Sequence, residues 1–172
     1  MHFYNLSELM MKHLSVFPVL LCLLLVSISS AADVSKAPAL NLPAIEGEVD
    51  LLQLQGKVVY LDFWASWCDP CRESFPWMAE MKEKYGAQGL EVVAVNLDKE
   101  RALADTFLKT MKVNFVVAFD ASGESAEKYG LRGMPGSYLI GRDGDIQASH
   151  LGFNDKDKAK LEAAIKVLLQ QQ

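Results

Sequence analysis

A buried β-strand is predicted at residues 58–64, where the chain reads VVYLDFW. This β-branched and aromatic run carries one acid, Asp62, and such runs are typical of strands buried on both faces of a parallel sheet. A second run of the same kind, LEVVAVNL, follows at residues 90–97. Between them, residues 69–84 are predicted to be helical, with Pro70 in the first turn, where a missing N–H is tolerated. Two buried strands joined through a helix pair in parallel, so a β-α-β unit is expected.

The rest of the chain continues the alternation of helix and strand and ends in a hairpin and a helix. Asp143-Gly144 is a hairpin turn signal. The other predicted elements are an exposed lead-in at 33–43, a helical turn at 51–54, a helix at 101–111, a strand at 115–119, a short helix at 124–129, hairpin strands at 136–140 and 146–150, and a helix at 155–169. This order predicts an α/β fold, a mixed, twisted sheet with helices on both faces. A ligand or partner is expected at the carboxyl ends of the parallel strands.

Residues 1–32 have the features of a secretory signal peptide. The stretch 14–28 is uncharged and largely apolar, basic residues precede it, and small residues end it at Ala32. At about 15 residues it is shorter than the ~20 that a membrane-spanning helix needs. Cleavage after Ala32 is expected to leave one exported domain at 33–172. The alternative is an uncleaved segment that anchors the exported protein.

Composition narrows the classes of partner. The chain has 17 Lys and Arg against 22 Asp and Glu, a net charge of -5, and no basic block, so nucleic acid is not expected to bind. Three cysteines are too few for a disulfide-rich scaffold. Cys22 lies inside the apolar stretch, where we interpret it as a hydrophobic residue. The exported domain therefore contains only Cys68 and Cys71.

The spacing of Cys68 and Cys71 indicates redox chemistry. A disulfide that closes so small a loop stabilises a fold by only about 2 kcal/mol, so reactivity explains the pair better than stability does. Cys68 precedes the predicted helix, where the unpaired N–H groups and the positive end of the helix lower the pKa of a thiol. Arg72 acts in the same direction, whereas Asp69 opposes it. Cys71 is expected to stay protonated until it resolves a mixed disulfide with the substrate.

The segment LDFWASWCDPC at residues 61–71 resembles the active-site segment of the thioredoxin superfamily. Gly133-Met134-Pro135 matches the cis-proline loop of that superfamily. The export signal, the extension through residue 56 and the sequence CRESFP at 71–76 are most similar to the TlpA/ResA-like branch of exported thiol-disulfide oxidoreductases. The resemblance covers residues 37–170.

The resemblance implies a thioredoxin-like fold and a periplasmic protein that exchanges thiols and disulfides. Its substrates are then disulfides of exported proteins, such as apocytochrome c or metal-site proteins, and a membrane thiol-disulfide protein supplies electrons. The redox disulfide is Cys68–Cys71. We expect a monomer that needs no cofactor and no metal.

Asp62 stands where cytosolic thioredoxins keep a buried aspartate. Burial in an apolar strand raises the pKa of a carboxyl group, and a carboxylate tuned in this way can take the proton from Cys71. A structural aspartate that caps a turn or pairs with a cation is the alternative. Thioredoxins also place a lysine near this acid, where Ala94 is found here. The TlpA/ResA-like branch often has a glutamate at the position of Ser74, and the neighbouring Glu73 is expected to be a solvated residue.

The resemblance also implies three substrate-binding residues. Pro135 is expected to be cis and opposite the dithiol, so that the backbone of Met134 can pair with an extended substrate segment. Gly136 is expected to leave room beside them. Trp67 is predicted to be a partly exposed platform, whereas Trp64 belongs to the core.

Copper delivery is the alternative function from a different class, because a dithiol can hold Cu(I). Copper chaperones of this broad fold tend to have a wider cysteine spacing and a histidine ligand. His150, the remaining histidine of the exported domain, is predicted to be a surface residue at the end of an edge strand. A structural zinc site needs four ligands, which one cysteine pair and a distant histidine do not provide.

Overall fold

The computed structural model describes residues 35–171. The predicted signal peptide, its cleavage site and Cys22 lie outside the described residues. Within residues 35–171, no helix has both the length and the apolar character needed to cross a membrane.

The described residues form seven β-strands and four α-helices. Along the chain these are β1 (Asn41–Pro43), β2 (Glu48–Asp50), β3 (Val58–Trp64), α1 (Asp69–Tyr85), β4 (Leu90–Asn96), α2 (Arg101–Leu108), β5 (Val116–Phe119), α3 (Glu124–Lys128), β6 (Gly136–Ile140), β7 (Ile146–Leu151) and α4 (Asp155–Gln170). The short helical turn predicted at 51–54 is confirmed as a 3-10 turn at Leu51–Leu54.

Five strands make the central sheet, in the order β5-β4-β3-β6-β7. β3, β4 and β5 are parallel to one another, whereas β6 pairs antiparallel with β3, and β7 pairs antiparallel with β6. The antiparallel part follows from the Asp143-Gly144 turn, in which Gly144 has φ 82°, a backbone angle that glycine adopts without strain. The predicted mixed sheet is confirmed.

Helices cover both faces of this sheet because its central strands are apolar on both sides. Every residue of β3 and β4 is buried. On β3, Tyr60 and Trp64 pack with side chains of α1, α2 and α4, whereas Leu61 and Phe63 pack with residues near α3 and the β1–β2 hairpin. The alternation of side chains along the strand thereby supplies two separate cores.

The lead-in predicted to be exposed at 33–43 is exposed or half-buried at most of its described residues, 35–43, and the structure corrects the prediction at Leu40 and in the pairing of 41–43. Leu40 is buried against β3, and Asn41–Pro43 pairs with β2 as a strand. Lys36 is held by an ion pair of 2.7 Å to Asp145 in the β6–β7 turn. Leu40 buries its apolar side chain against the face of β3 that carries Leu61 and Phe63. The free energy gained by this burial outweighs the exposure that the flanking prolines suggest.

The helix predicted to reach Met111 ends at Leu108 as α2. Its backbone turns tighter there, with Thr110 N donating to Phe107 O at 3.0 Å and Met111 N to Leu108 O at 3.1 Å. The Thr110 hydroxyl also donates to Phe107 O, at 2.7 Å. A threonine that bonds the nearby backbone competes with the helical pattern, so the apolar spacing outlasts the helix.

Candidate active site

Cys68 and Cys71 are joined by a disulfide at the N-terminus of α1. Cys68 is the residue that precedes the helix, and its side chain makes no capping hydrogen bond. The S–S distance is 2.03 Å and the Cα–Cα distance is 5.3 Å. Cys68 is 4% exposed and Cys71 is fully buried, so an incoming sulfur meets Cys68 first. A thiolate on Cys68 would lie at the positive end of a 17-residue helix, which is the setting that lowers a thiol pKa.

Two tryptophans flank this disulfide and differ sharply in burial. Trp67, next to Cys68, is 69% exposed, which fits the platform predicted for it. Trp64 is completely buried and packs against Phe75 at 4.8 Å and Phe107 at 4.7 Å between ring centroids. Trp67 thus presents an accessible indole directly beside Cys68.

The Met134–Pro135 peptide bond is cis, as predicted. Pro135 O accepts a hydrogen bond of 2.8 Å from Gly152 N, which ties the loop to the end of β7. Met134 is half-buried and packs against the core cluster that contains both cysteines. The loop is therefore fixed beside the dithiol.

The structure shows a packing reason for glycine at position 136. A Cβ at this position would meet the carbonyl oxygen of Gly133 at 2.8 Å and the side chain of Leu131 more closely still. The glycine lets the loop fold back on itself, and the close contacts are within the protein.

Asp62 is 1% exposed in the middle of β3. Burial raises the pKa of its carboxyl group well above the ordinary value. Its Oδ2 is buried and makes no hydrogen bond to any residue in the range 35–171. The neighbours of Asp62 on the adjacent strands are Ala94 and Ser137, so the position of the thioredoxin lysine is apolar here. Within residues 35–171, neither a hydrogen bond that caps a turn nor an ion pair is found for this carboxyl group.

The structure places both Ser74, where the TlpA/ResA-like branch often has a glutamate, and the neighbouring Glu73. Ser74 is fully buried and its hydroxyl donates to Cys71 O at 3.1 Å. Glu73 is exposed, as predicted. The guanidinium group of Arg72 stacks over the ring of Phe107, 4.8 Å from its centroid. No carboxylate of α1 therefore takes the place of Asp62 inside the site.

The sequence profile of the Redoxin family matches residues 32–165. The chain belongs to the Redoxin family. Within it, thiol-disulfide oxidoreductase ResA of Bacillus thuringiensis subsp. konkukian (strain 97-27) is 34% identical over 132 residues, which is 76% of this chain and 75% of that protein. ResA of Bacillus subtilis (strain 168) is 35% identical over 118 residues, 68% of this chain and 66% of that protein.

Solved structures agree with this assignment. A Chlorobium tepidum protein described as thiol:disulfide interchange protein DsbE has 49% sequence identity and a TM-score of 0.79, over 81% of this chain and 99% of that chain. This Redoxin-family chain is therefore a ResA-like member of the thioredoxin superfamily and a thiol-disulfide oxidoreductase. The predicted thioredoxin-like fold is confirmed.

Asp98 is a site residue that the sequence reasoning missed. It is buried just after β4, where Oδ2 accepts from Ser66 N at 2.9 Å and Oδ1 accepts from the Ser66 hydroxyl at 3.0 Å. Asn96 Nδ2 also donates to Oδ2, at 2.8 Å. These bonds hold the loop between β3 and Cys68. The signal was available, because an Asn-Leu-Asp sequence directly after the second buried strand must lie at the same sheet edge as the dithiol.

Replacing Asp98 with alanine should therefore loosen this loop. The substitution leaves the half-buried donors of Ser66 and the buried amide of Asn96 without an acceptor, and each such loss costs up to about 1–3 kcal/mol. We expect Asp98→Ala to lower the free energy of unfolding in urea by roughly 3 kcal/mol. Asp98→Asn, which keeps one acceptor oxygen, should lose less. An Asp98→Ala protein as stable as the parent would show that these bonds do not hold the loop.

His150 lies near the end of the edge strand β7, as predicted, but it is less exposed than a surface residue, since its side chain is only 21% exposed. Its Nε2 lies 3.3 Å from Asp157 Oδ2 in the first turn of α4. α4 packs over this end of the sheet, which explains the burial. Among residues 35–171, no group of three or more His, Cys, Asp or Glu side chains could hold a metal ion.

Proposed function

We propose that this oxidoreductase reduces disulfides of exported proteins by dithiol-disulfide exchange at Cys68 and Cys71. The observation that carries the proposal is the asymmetry of the pair: a barely exposed Cys68 at the helix N-terminus beside an exposed Trp67, and a buried Cys71 behind it. This arrangement suits a nucleophile that meets the substrate and a resolving thiol that does not.

The exchange proceeds in two steps that balance electrons and protons. The Cys68 thiolate attacks one sulfur of the substrate disulfide, the substrate S–S bond breaks, and a substrate thiolate leaves. Asp62 then takes the proton of Cys71, and the new thiolate attacks Cys68 of the mixed disulfide. The second substrate thiolate leaves as the Cys68–Cys71 disulfide forms. The substrate thereby gains two electrons, and the protein is oxidised. The two substrate thiolates are protonated from solvent.

The cis-proline loop and Trp67 would orient the substrate. An extended segment can pair with the backbone at Met134 and pack on the indole of Trp67. Both lie beside the dithiol, and Pro135 is tied to β7 by its bond from Gly152. The substrate then needs a flexible, extended stretch around its cysteines.

The location and electron source complete the proposal. We infer that the N-terminal signal directs export of the chain and that the protein works in the periplasm. The signal is either cleaved off or remains as an anchor. A membrane thiol-disulfide protein supplies the electrons. Suitable substrates are apocytochrome c and metal-site proteins, whose cysteines must be thiols before the haem or metal is attached. The protein is expected to act as a monomer.

The redox state of the pair in growing cells tests the direction of the reaction. Acid quenching followed by alkylation and intact mass should show Cys68 and Cys71 mainly as thiols, because a reductant is kept reduced by its donor. A pair found entirely as the disulfide would contradict the reductase assignment.

The copper alternative is separated by two measurements on the reduced protein. A reductase should reduce a disulfide-bonded C-x-x-C-H peptide of the apocytochrome type, and it should do so without copper. Tight one-to-one Cu(I) binding that is lost in His150→Ala, together with no reduction of the peptide, would favour copper delivery instead.

A further inference from the structure

Three polar residues form a row across the sheet from Asp62 to its edge. Asp62 of β3 is the register partner of Ser137 of β6, and Ser137 is the register partner of His150 of β7. Directly opposed residues on antiparallel strands point to the same face, with Cβ atoms about 4.5–5.5 Å apart. This is the face that carries Tyr60 and is covered by α1 and α4.

Burial falls along the row in one direction. Asp62 and Ser137 are buried, whereas the His150 side chain is 21% exposed. On the other side of Asp62 the sheet continues with Ala94, which offers no polar atom in its side chain. Within residues 35–171, the polar side chains next to Asp62 across this face of the sheet therefore lead toward β7 and solvent.

The two ends of the row carry polar atoms that the rest of the fold leaves unused. Among the described residues, neither Asp62 Oδ2 nor His150 Nε2 has a hydrogen-bond partner, although both atoms are buried. His150 Nε2 faces Asp157 Oδ2 at 3.3 Å. That carboxylate is fixed in place, because it accepts from Asn154 N at 2.9 Å as part of the α4 capping box. A proton on the imidazole thus has an acceptor at the protein surface.

Tyr60 stands two residues before Asp62 on β3, so its side chain is on the same face of the sheet. Burial raises the pKa of its phenol, and the charges of both Asp62 and Asp157 raise it further, whereas a hydrogen bond with Ser137 acts in the opposite direction. The titratable groups that face the row are Tyr60 on β3, Cys71 on α1 and Asp157 on α4.

We propose that Ser137 and His150 carry the proton of Asp62 to solvent, so that the buried acid can act in each reaction cycle. This inference rests on the proposed function, in which Asp62 takes a proton from Cys71. The Asp62 carboxyl gives that proton to the Ser137 oxygen, Ser137 passes its own hydroxyl proton to His150, and the imidazole releases a proton to solvent beside Asp157. No electrons move in this step. Asp62 returns to the carboxylate form.

The test is the rate of disulfide reduction over many cycles, with substrate disulfide and a chemical reductant in excess, across about pH 6 to about pH 9, because the proton must leave Asp62 before the next cycle. His150→Ala should slow this rate about tenfold near neutral pH, part of the ~10²-fold that general base catalysis supplies. Free imidazole added to His150→Ala should restore the rate, because it replaces the missing group. Ser137→Ala should also slow it, and Ser137→Thr, which keeps the hydroxyl, should not.

Ser149→Ala is the matched control, since Ser149 is the exposed neighbour of His150 and pairs with Tyr138 on the opposite face. A folded His150→Ala protein with the rate of this control and no response to imidazole overturns the proton route. If Asp62→Asn is slow in the same assay, that result leaves the proposed function standing. A wild-type chain that reduces no disulfide overturns both.

Discussion

Cys68→Ser should abolish disulfide reduction, with a fall in rate of at least about 10³-fold. The serine hydroxyl is not ionised near neutral pH, so no nucleophile remains at the helix N-terminus. Cys71 cannot replace it, because that sulfur is completely buried behind Cys68. The measurement is the single-turnover reduction of a model disulfide by the reduced protein.

Cys71→Ser is the matched control for this loss. It also lacks the disulfide, so any effect on folding is shared, but it keeps Cys68 and should complete the first exchange at a rate close to that of the parent. Substantial reduction by Cys68→Ser, or a first exchange that is equally lost in both variants, would contradict the assignment of Cys68 as the nucleophile.

Asp62→Asn should slow the resolving step roughly 10²-fold near neutral pH, because the general base for Cys71 is removed. The effect should shrink as pH rises, since hydroxide then deprotonates Cys71 without help. The pH-rate profile of the second exchange, recorded with and without the substitution, measures both features. Equal rates from about pH 6 to about pH 9 would contradict the role of Asp62.

The same variant tests the burial of Asp62 independently of activity. Because burial raises the pKa of this acid in the folded state, the folded chain binds its proton more tightly than the unfolded chain does. The stability that this group contributes is complete below its unfolded pKa of about 3.9 and is lost as pH rises toward the folded pKa. Asp62→Asn should therefore raise the free energy of unfolding of the oxidised protein at neutral pH, by about 1.4 kcal/mol for each pKa unit of the shift, and change little near pH 4.

The central sheet can be predicted from the sequence because its signals are local. The apolar runs of β3 and β4 have no polar face, which identifies strands covered by helices on both sides. The Asp143-Gly144 turn gives the antiparallel hairpin. The burial of Leu40 cannot be read in the same way, because it depends on a free apolar surface of β3 that appears only after the sheet has formed.

The residues of the candidate site also differ in whether short sequence motifs can predict them. The spacing of Cys68 and Cys71 predicts their geometry, and the resemblance of Gly133-Met134-Pro135 to the thioredoxin loop implies that of Pro135. The contacts of Asp98 and His150 cannot be predicted in this way, because tertiary packing creates them. Asp98 accepts a hydrogen bond from Ser66, and His150 lies close to Asp157. The row from Asp62 to His150 likewise requires the register of β3, β6 and β7, which apolar periodicity does not specify.

The most direct test of the central claim is to isolate the covalent intermediate. Purified Cys71→Ser, reduced and mixed with a disulfide-bonded peptide of known mass, should accumulate a one-to-one adduct joined through Cys68 and released by dithiothreitol. Peptide mapping should place the new disulfide on Cys68 alone. If no adduct forms, or if the peptide is released without ever being bound to Cys68, the mechanism proposed for this protein is wrong.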